Sequence, residues 1–137
     1  MLYLQRIHCQ TMLDEVKKLA GEEACGLVAG IDQTSQAVYP VPNILHSLVR
    51  YRMDPERQLA VFNQIDENGW QLLAIYHSHL QGPQGPSAID VAEAAYPGVI
   101  HLIWSQSGGD WQCHGYLIEN GEITEVPVVL LDQDPAG

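Results

Sequence analysis

The spacing of hydrophobic positions predicts a chain in which helices and strands are mixed. Apolar residues at helical intervals predict a helix over residues 10–20 and a second one over residues 55–68. Asp54 is a good N-cap for the second helix, because Pro55 then takes the first helical position. Ser87 is expected to cap a third helix that reaches about residue 95.

Short apolar runs with turn residues between them predict the strands. We expect strands over residues 24–31, 37–41, 71–79 and 99–105, and a hairpin around Asn120-Gly121 that joins 111–118 to 123–130. The 137 residues are enough for one hydrophobic core. The sequence therefore predicts an α/β fold with a single domain over residues 1–131, in which helices flank one mixed sheet. Residues 132–137 are predicted to be a frayed tail.

Two histidines separated by one residue end the predicted strand over residues 71–79. Side chains of a strand alternate between its two faces, so His77 and His79 point the same way. Their imidazole rings can then bind one ion. A His-x-His pair is also found on strands that bind no metal, so the pair alone leaves both interpretations open.

A carboxylate follows the histidine pair at a distance that suits a third ligand. A loop of seven residues separates His79 from Ser87, and Asp90 lies in the first turn of the helix that Ser87 begins. Two histidines and one carboxylate leave a tetrahedral zinc ion one open position, as a catalytic site requires. Ser87 and Asp90 also form a helix capping box, which needs no catalysis. The two roles are compatible, because capping would hold both side chains at the metal site.

A hydrolytic metal site also needs a general base from elsewhere in the chain. Glu22 and Glu23 precede the apolar strand over residues 24–31, and either carboxylate can lean toward a neighbouring strand end. The residues alone leave both candidates open.

The cysteines, Cys9, Cys25 and Cys113, are odd in number, widely spaced and lack a Cys-x-x-Cys pair. This spacing argues against a disulfide framework and against a thiolate zinc site. We interpret the three as small buried or half-buried side chains in a reducing compartment. A nucleophilic Cys25 is the remaining alternative, since it lies two residues after Glu23.

Charge is distributed unevenly along the chain. All six Lys and Arg residues lie within the first 57 positions, whereas the rest of the chain has ten acidic residues and no basic one. Such a surface repels phosphate groups, so nucleic acid and anionic membranes are excluded as partners. We interpret it as a solvated face, with a partner that has a basic patch as the alternative. No apolar run approaches the roughly 20 residues that span a bilayer, and we find no signal peptide, so we expect a cytoplasmic protein.

Taken together, the polar residues resemble the JAMM motif of MPN-domain metallopeptidases. That motif has a Glu, then His-x-His, and then a Ser and an Asp three positions apart. Here Glu23 begins the string Glu-Ala-Cys-Gly-Leu, His77-Ser78-His79 follows, and Pro-Ser-Ala-Ile-Asp occupies 86–90. Arg-Met-Asp-Pro at 52–55 and Tyr-Pro-Gly at 96–98 extend the likeness over nearly the whole chain.

The resemblance implies a metal site with one Zn²⁺ per chain. The implied zinc ligands are His77, His79 and Asp90, with a water completing the coordination. Ser87 would donate a hydrogen bond to the oxyanion or orient the bound water. The implied fold is the MPN domain, a curved mixed sheet with helices packed on it and a cytidine-deaminase-like architecture.

The resemblance also favours one of the two candidate bases. Glu23 would be the general acid/base, because it stands three residues before Gly26 in the Glu-x-x-Gly-Leu string. Glu22 remains its rival. Leu80 departs from the family, which usually has Pro after the second histidine. Leu80 is expected to change the stiffness of the loop and not the metal ligation.

The short loop after His79 is similar to that of the compact prokaryotic members of the family. Those members are associated with ubiquitin-like sulfur-carrier proteins that end in Gly-Gly. The resemblance therefore implies a peptidase that hydrolyses an amide or isopeptide bond after the Gly-Gly end of such a carrier. The extended tail would be expected to add backbone hydrogen bonds to a sheet edge.

Two other functions remain as alternatives. One is a non-catalytic MPN scaffold or binding module, although such modules usually lack one or more of the ligands that are intact here. The other is a zinc amidohydrolase of small molecules, although the Cys-x-x-Cys zinc pair of nucleobase deaminases is absent from the sequence. The sequence leaves the oligomeric state open.

Overall fold

The computed structural model describes residues 1–19 and 21–131 of the chain. Helices and strands follow one another in the order β1 Leu2–Gln5, α1 Arg6–Lys18, β2 Cys25–Ile31, β3 Thr34–Val41, α2 Pro55–Glu67, β4 Gln71–His79, α3 Ala88–Glu93, β5 Ile100–Ser107, β6 Asp110–Glu119, β7 Glu122–Val126 and β8 Val128–Leu131. None of the helices in these residues is both long and apolar enough to cross a membrane.

Eight strands of the described chain form one mixed sheet in the order β7-β6-β5-β4-β2-β3-β1-β8. The central strand β4 is antiparallel to β2 and parallel to β5. At one end of the sheet, β1 pairs in parallel with both β3 and β8. The predicted mixed sheet with flanking helices is therefore confirmed. Because β4 has a partner on each side, the expected addition of a substrate tail to a sheet edge cannot take place on β4.

Alternate side chains of β4 pack on opposite faces of the sheet. Ala74 and Tyr76 belong to a core cluster with Met12 and Val16 of α1. Ile75 belongs to a second cluster on the opposite face, together with Val61 and Ile65 of α2. His77 and His79 share the face of Ile75, because strand side chains repeat with a period of two.

The local signals for α2 and for the hairpin are confirmed. The Asp54 side chain accepts hydrogen bonds from the N–H groups of Glu56 and Arg57, and Pro55 takes the first helical position. Asn120 and Gly121 both have positive φ, 52° and 79°, and join β6 to β7 through a two-residue turn. Two positive φ values are what the type I′ hairpin turn requires.

The beginning of the chain differs from the prediction. Helix α1 begins at Arg6, not at residue 10, and Gln5 at its N-cap makes no side-chain capping bond. The sequence therefore lacks the polar cap that usually marks a helix start. The preceding strand β1 was not predicted, because its four residues are ordered by pairing with β8 from the other end of the chain.

The predicted strand over residues 123–130 is wrong, because the chain forms two strands there. β7 pairs with β6, whereas β8 pairs with β1, and the change of partner occurs at Pro127. Proline has no N–H to donate to a ladder, and its carbonyl here accepts from Leu2 N–H at 3.0 Å. Helix α3 also ends at Glu93, earlier than residue 95, since the backbone is extended at Ala94. The predicted tail, 132–137, lies outside the described residues.

Candidate metal centre

The end of β4 and the start of α3 bring three potential ligand atoms together. His77 Nε2 lies 3.1 Å from His79 Nε2 and 3.2 Å from Asp90 Oδ2. His79 Nε2 lies 3.0 Å from the same carboxylate oxygen. The three side chains are buried, with exposed fractions of 0%, 3% and 8%. The structure thus brings the three predicted ligands to one point.

The separations of these three atoms fit a tetrahedral ion. Zinc bonds of about 2.0–2.1 Å at tetrahedral angles place neighbouring ligand atoms about 3.3–3.4 Å apart. The observed separations of 3.0–3.2 Å differ from this by only a few tenths of an ångström. The side chains present therefore fit a zinc ion, with His77, His79 and Asp90 as the residues that would hold it.

The hydrogen bond of His79 Nδ1 leaves its Nε2 free to bind a cation. His79 Nδ1 donates a hydrogen bond to the Pro83 carbonyl at 2.7 Å, so the neutral ring has its lone pair on Nε2, facing Asp90 Oδ2. Two acceptors this close need a proton or a metal ion between them. Burial opposes protonation, but the hydrogen bonds to Asp90 and Pro83 prevail and raise the pKa of His79. A metal ion would take the place of this proton.

Asp90 is held in place by the predicted capping box. Ser87 Oγ accepts from Asp90 N–H at 3.1 Å, and Ser87 N–H donates to Asp90 Oδ2 at 2.9 Å. Burial acts to raise the pKa of Asp90, but the hydrogen bonds from His77 and His79 outweigh it and lower the pKa. Asp90 therefore stays ionised, as a carboxylate ligand must be. The box fixes Ser87 beside the three ligand atoms.

Stacking on Tyr51 and the contact with Asp90 together orient His77. Its ring stacks on Tyr51, with the ring centroids 4.6 Å apart and the planes inclined by 26°. Its Nδ1 has no hydrogen-bond partner within the described part of the chain, and burial lowers the pKa of His77. Tyr51 was not among the predicted site residues, since no local pattern marks a ring that packs on a strand 26 positions away.

Glu23, and not Glu22, lies beside the histidine pair. A carboxylate oxygen of Glu23 and one ring nitrogen from each of His77 and His79 lie within 4.8 Å of one another. Glu23 is 3% exposed, and burial raises the pKa of its carboxyl group to about 7. Glu22 instead bonds to His46 Nδ1 at 2.7 Å. Asp90 Oδ2 lies 3.2 Å from His77 Nε2 and 3.0 Å from His79 Nε2, which places it as the third ligand and leaves Glu23 alongside.

Ser78, between the two histidines, connects β4 to the segment that carries Glu23. Its Oγ accepts from Ala24 N–H at 2.8 Å, and its N–H donates to the Ala24 carbonyl at 3.0 Å. The adjacent pair in the ladder is Cys25 with His77. Sequence reasoning missed this role. The sequence signal that could have indicated it is a polar residue on the strand face that otherwise carries Ala74 and Tyr76, opposite to the histidines.

The cysteines behave as the sequence predicted. All three are free, Cys25 is buried, and Cys9 and Cys113 are half-buried. Cys25 Sγ donates to the Val41 carbonyl at 3.3 Å, and burial raises the pKa of this thiol to about 12. Since the thiolate is the reactive form, these contacts argue against a nucleophilic Cys25.

A cavity of about 360 Å³ opens beside Asp90, between α2 and α3. His101 lies at its floor with 5% of its surface exposed, and its Nε2 has no partner among the residues that the structure describes. The wall combines charged and apolar residues, among them Arg50, Tyr51, Arg52, Ile75, Ile89 and Glu93. The cavity offers room for a few residues of an extended chain next to the candidate metal site.

Gly82 gives a direct test of how His79 is oriented. A Cβ atom at Gly82 would lie 3.0 Å from His79 Cβ and 3.1 Å from its Cγ. We expect Gly82→Ala to displace the loop, disturb the Pro83 hydrogen bond and lower zinc affinity about 10- to 100-fold. Affinity is measured by competition with a chelator.

Gly85→Ala is the matched control in the same loop, because its added Cβ would lie at an ordinary contact distance of 3.6 Å from Tyr116. This variant should bind zinc like the wild type. Equal affinity in the two variants would show that the Pro83 contact does not orient His79.

Comparison with protein families identifies the chain. The family model described as "Prokaryotic homologs of the JAB domain" matches residues 5–115. The chain belongs to this family. The matched segment of this JAB-domain protein includes all of the residues assembled above: Glu23, His77, His79, Ser87 and Asp90.

Three curated relatives have enzyme names. The chain is 33% identical over 131 residues to a probable TtuB-protein conjugate cleaving protease of Thermus thermophilus, covering 95% of this chain and 83% of that protein. It is 30% identical over 115 residues to the CysO-cysteine peptidase of Mycobacterium tuberculosis, covering 82% and 79%. It is 36% identical over 89 residues to the desampylase of Haloferax volcanii, covering 63% of this chain and 64% of that protein. This JAB-domain protein is a JAMM-type metallopeptidase.

Solved structures confirm the fold. A protein from Desulfitobacterium hafniense superposes with a TM-score of 0.88 at 30% identity, covering 99% of this chain and 97% of that one. A JAB1/MPN domain protein from Archaeoglobus fulgidus superposes with a TM-score of 0.61 at 19% identity, covering 96% and 98%. The MPN fold that the motif implied is therefore the fold of this chain.

Proposed function

We propose that this protein is a zinc metallopeptidase that cleaves the amide or isopeptide bond after the C-terminal Gly-Gly of a ubiquitin-like or sulfur-carrier protein. One observation carries the proposal: His77, His79 and Asp90 converge to within 3.2 Å of one another, with the Glu23 carboxylate alongside. The names of the relatives support the substrate class, since they describe cleavage of TtuB conjugates and of CysO-cysteine.

The chemistry divides between the ion and the side chains. A zinc ion bound by the three ligands would polarise the scissile carbonyl and make a water acidic at neutral pH. Glu23 accepts the proton of the attacking water, because its oxygen lies within 4.8 Å of a ring nitrogen of each histidine and so within reach of a water bound beside them. A pKa of about 7, raised by burial, suits a group that must both take and release a proton.

Glu23 then passes this proton to the leaving amine. Ser87 has its Oγ beside Asp90, and its hydroxyl hydrogen remains available for the oxygen of the scissile carbonyl, since the capping bond uses Oγ as an acceptor. Burial of Glu23 and of the ligands keeps bulk water away from these transfers. The site requires no covalent intermediate.

The cavity beside Asp90 suits an extended tail. Glycine has no side chain, so a Gly-Gly end can enter a narrow space next to the buried ligands. Arg50 and Arg52 line the cavity and are two of only six basic residues in a chain with a net charge of −11. Arg50 is paired with Glu93, which leaves the Arg52 guanidinium available to carboxylates or carbonyls of the carrier chain.

The test uses purified, zinc-loaded protein and a carrier extended by a few residues after Gly-Gly, in parallel with a carrier joined to a lysine side chain. We expect the intact mass of the carrier to fall to that of the Gly-Gly form, and a chelator to prevent the change. Bound zinc without cleavage of either carrier would favour the scaffold module. Hydrolysis of small amides alone would favour the small-molecule amidohydrolase.

A further inference from the structure

A buried amide side chain closes a loop next to the candidate base. Asn43 is 1% exposed and forms an isolated antiparallel bridge with Met53, so that residues 44–52 form a closed loop, the 44–52 loop. Asn43 Oδ1 accepts hydrogen bonds from the backbone N–H groups of Leu45 and Arg52, each at 3.0 Å. One oxygen therefore joins the two ends of the loop.

The other end of the same amide binds the backbone of Glu23. Asn43 Nδ2 donates to the carbonyl of Glu23 and to the carbonyl of Arg50, each at 3.1 Å. The N–H of Glu23 donates in turn to the Ser47 carbonyl in the loop, at 2.7 Å. Glu23 precedes β2, and both of its backbone polar groups are satisfied by Asn43 and the 44–52 loop. The four bonds use both N–H donors and both lone pairs of the amide. An ionised carboxylate has no donor and a hydroxyl has only one, so neither could make the same four bonds.

The 44–52 loop also touches the parts of the site that hold the metal ligands. Its Tyr51 stacks on the His77 ring, and its Arg50 forms an ion pair with Glu93 of α3. The ligands themselves lie outside the loop, on β4 and α3. Both backbone hydrogen bonds of Glu23 go to Asn43 and the loop, whereas β4 and α3 carry the ligands, so a change at Asn43 should act mainly on Glu23.

We propose that Asn43 is a positioning residue, which fixes the 44–52 loop so that the loop holds Glu23 facing the histidine pair. The inference rests on the proposed role of Glu23 as the base. In the described part of the chain the Asn43 side chain bonds to the backbone of Glu23, Arg50, Leu45 and Arg52 and to none of the three ligands, so it acts through the backbone of Glu23. Its loss should lower turnover and leave metal binding nearly unchanged.

The kinetic test uses Asn43→Asp and Asn43→Ala in the zinc-loaded enzyme. Asn43→Asp keeps the shape and the two acceptor bonds but loses both donors to Glu23 and Arg50. We expect kcat for the carrier conjugate to fall about 10- to 100-fold, as misplacement of a catalytic group by about 1 Å does. KM should change less than about threefold, with zinc content equal to that of the wild type.

Ser35→Ala is the matched control for loss of a buried polar contact. Ser35 is fully buried, its Oγ accepts from Gln5 N–H at 2.9 Å, and it pairs with Gly30 at the other end of β2 from the site. This variant should lose stability and keep kcat. If Ser35→Ala lowered kcat as much as Asn43→Asp at the same loss of stability, the role of Asn43 would be merely structural.

A second measurement, on the metal-free protein, does not depend on activity. In the wild type, the amide hydrogens of Glu23, Leu45 and Arg52 should exchange with one common free energy of opening, because one side chain joins them. In Asn43→Asp, exchange at Glu23 should be at least about 10-fold faster, while exchange at Gln5, bonded to Ser35, stays the same.

The outcomes separate the inference from the proposed function. A wild type that cleaves no conjugate would overturn the proposed function, while hydrogen exchange would still decide whether Asn43 holds Glu23. Unchanged kcat in Asn43→Asp, or zinc lost in parallel with kcat, would overturn the inference. If neither variant folds, wild-type exchange decides: a Glu23 amide that opens independently of Leu45 and Arg52 contradicts it.

Discussion

Glu23→Gln should lower kcat about 10²- to 10⁴-fold and leave the zinc content of the protein unchanged. The substitution keeps the size of the side chain but removes the group that takes the proton from the attacking water, and a positioned acid/base contributes a factor of this order. Glu23 lies alongside the ligands but is not needed among the three, since Asp90 already lies within 3.2 Å of both histidines. Single-turnover cleavage and metal analysis on the same sample measure both effects.

Glu22→Gln is the matched control for this experiment. Glu22 is adjacent in sequence but pairs with the exposed His46, so its replacement should leave kcat near the wild-type value. The opposite pattern, with turnover lost in Glu22→Gln and kept in Glu23→Gln, would mean that the base has been wrongly assigned.

Glu23→Gln should also stabilise the metal-free protein at alkaline pH. Burial raises the pKa of Glu23 to about 7, so the folded protein binds this proton more tightly than the unfolded chain does. The stability that the group contributes is present below the unfolded pKa and is lost as pH rises through about 7. Glutamine has no proton to lose. We expect Glu23→Gln to gain about 3 kcal/mol at pH 8.5 and about 1 kcal/mol at pH 5.5, measured by urea unfolding with a chelator present.

A gain that is independent of pH would show that Glu23 is not held in its neutral form by burial. Glu22→Gln again serves as the control, because it makes the same chemical change at a carboxylate outside the ligand cluster, bonded to His46. A catalytic base that destabilises the protein containing it would be a local cost of function.

His77→Ala should abolish metal binding together with activity. It removes one of three ligands at the centre of the set, where the ring is fully buried and stacked on Tyr51. Loss of a residue that hydrogen-bonds to a metal ligand lowers metal affinity by up to roughly 100-fold. Because His77 is itself a ligand, we expect zinc affinity to fall by more than this. Metal content after gel filtration, and chelator competition for what remains, measure the loss.

His101→Ala is the control, because His101 is also buried on the same face of the sheet but is not among the three ligands. It should retain its zinc. Zinc retained by His77→Ala at wild-type affinity would refute the metal centre described here. The wild type, Glu23→Gln and His77→Ala thus give three distinct combinations of metal content and turnover.

The parts of the site that were predictable are close in sequence. The period of a strand places His77 and His79 on one face, and a capping box places Ser87 and Asp90 in one turn, so each pair follows from local geometry. The structure confirms that the two pairs meet, with Asp90 Oδ2 at 3.0 Å from His79 Nε2. The choice of Glu23 over Glu22 came from resemblance to the JAMM motif, since both carboxylates precede the same strand.

The parts that were missed depend on residues distant in sequence. The ladder that sets Cys25 opposite His77 positions Glu23, and it is fixed by the pairing of β2 with β4 across about 50 residues. Asn43 and Tyr51 lie in a loop with little periodic pattern, and their contacts with Glu23 and His77 exist only after the sheet has formed. Strand β1 likewise depends on β8 at the other end of the chain.

By itself, the sequence determined the α/β pattern of elements, the helix cap at Asp54 and the residue types that chelate a metal ion, because these follow from local propensity and short-range spacing. Tertiary structure alone decided how Glu23 reaches the histidines and what holds it there. The reason is that a backbone hydrogen bond such as Glu23 N–H to Ser47 joins segments that no local rule relates. Short-range physics selects the ligands, and long-range packing brings the base to them.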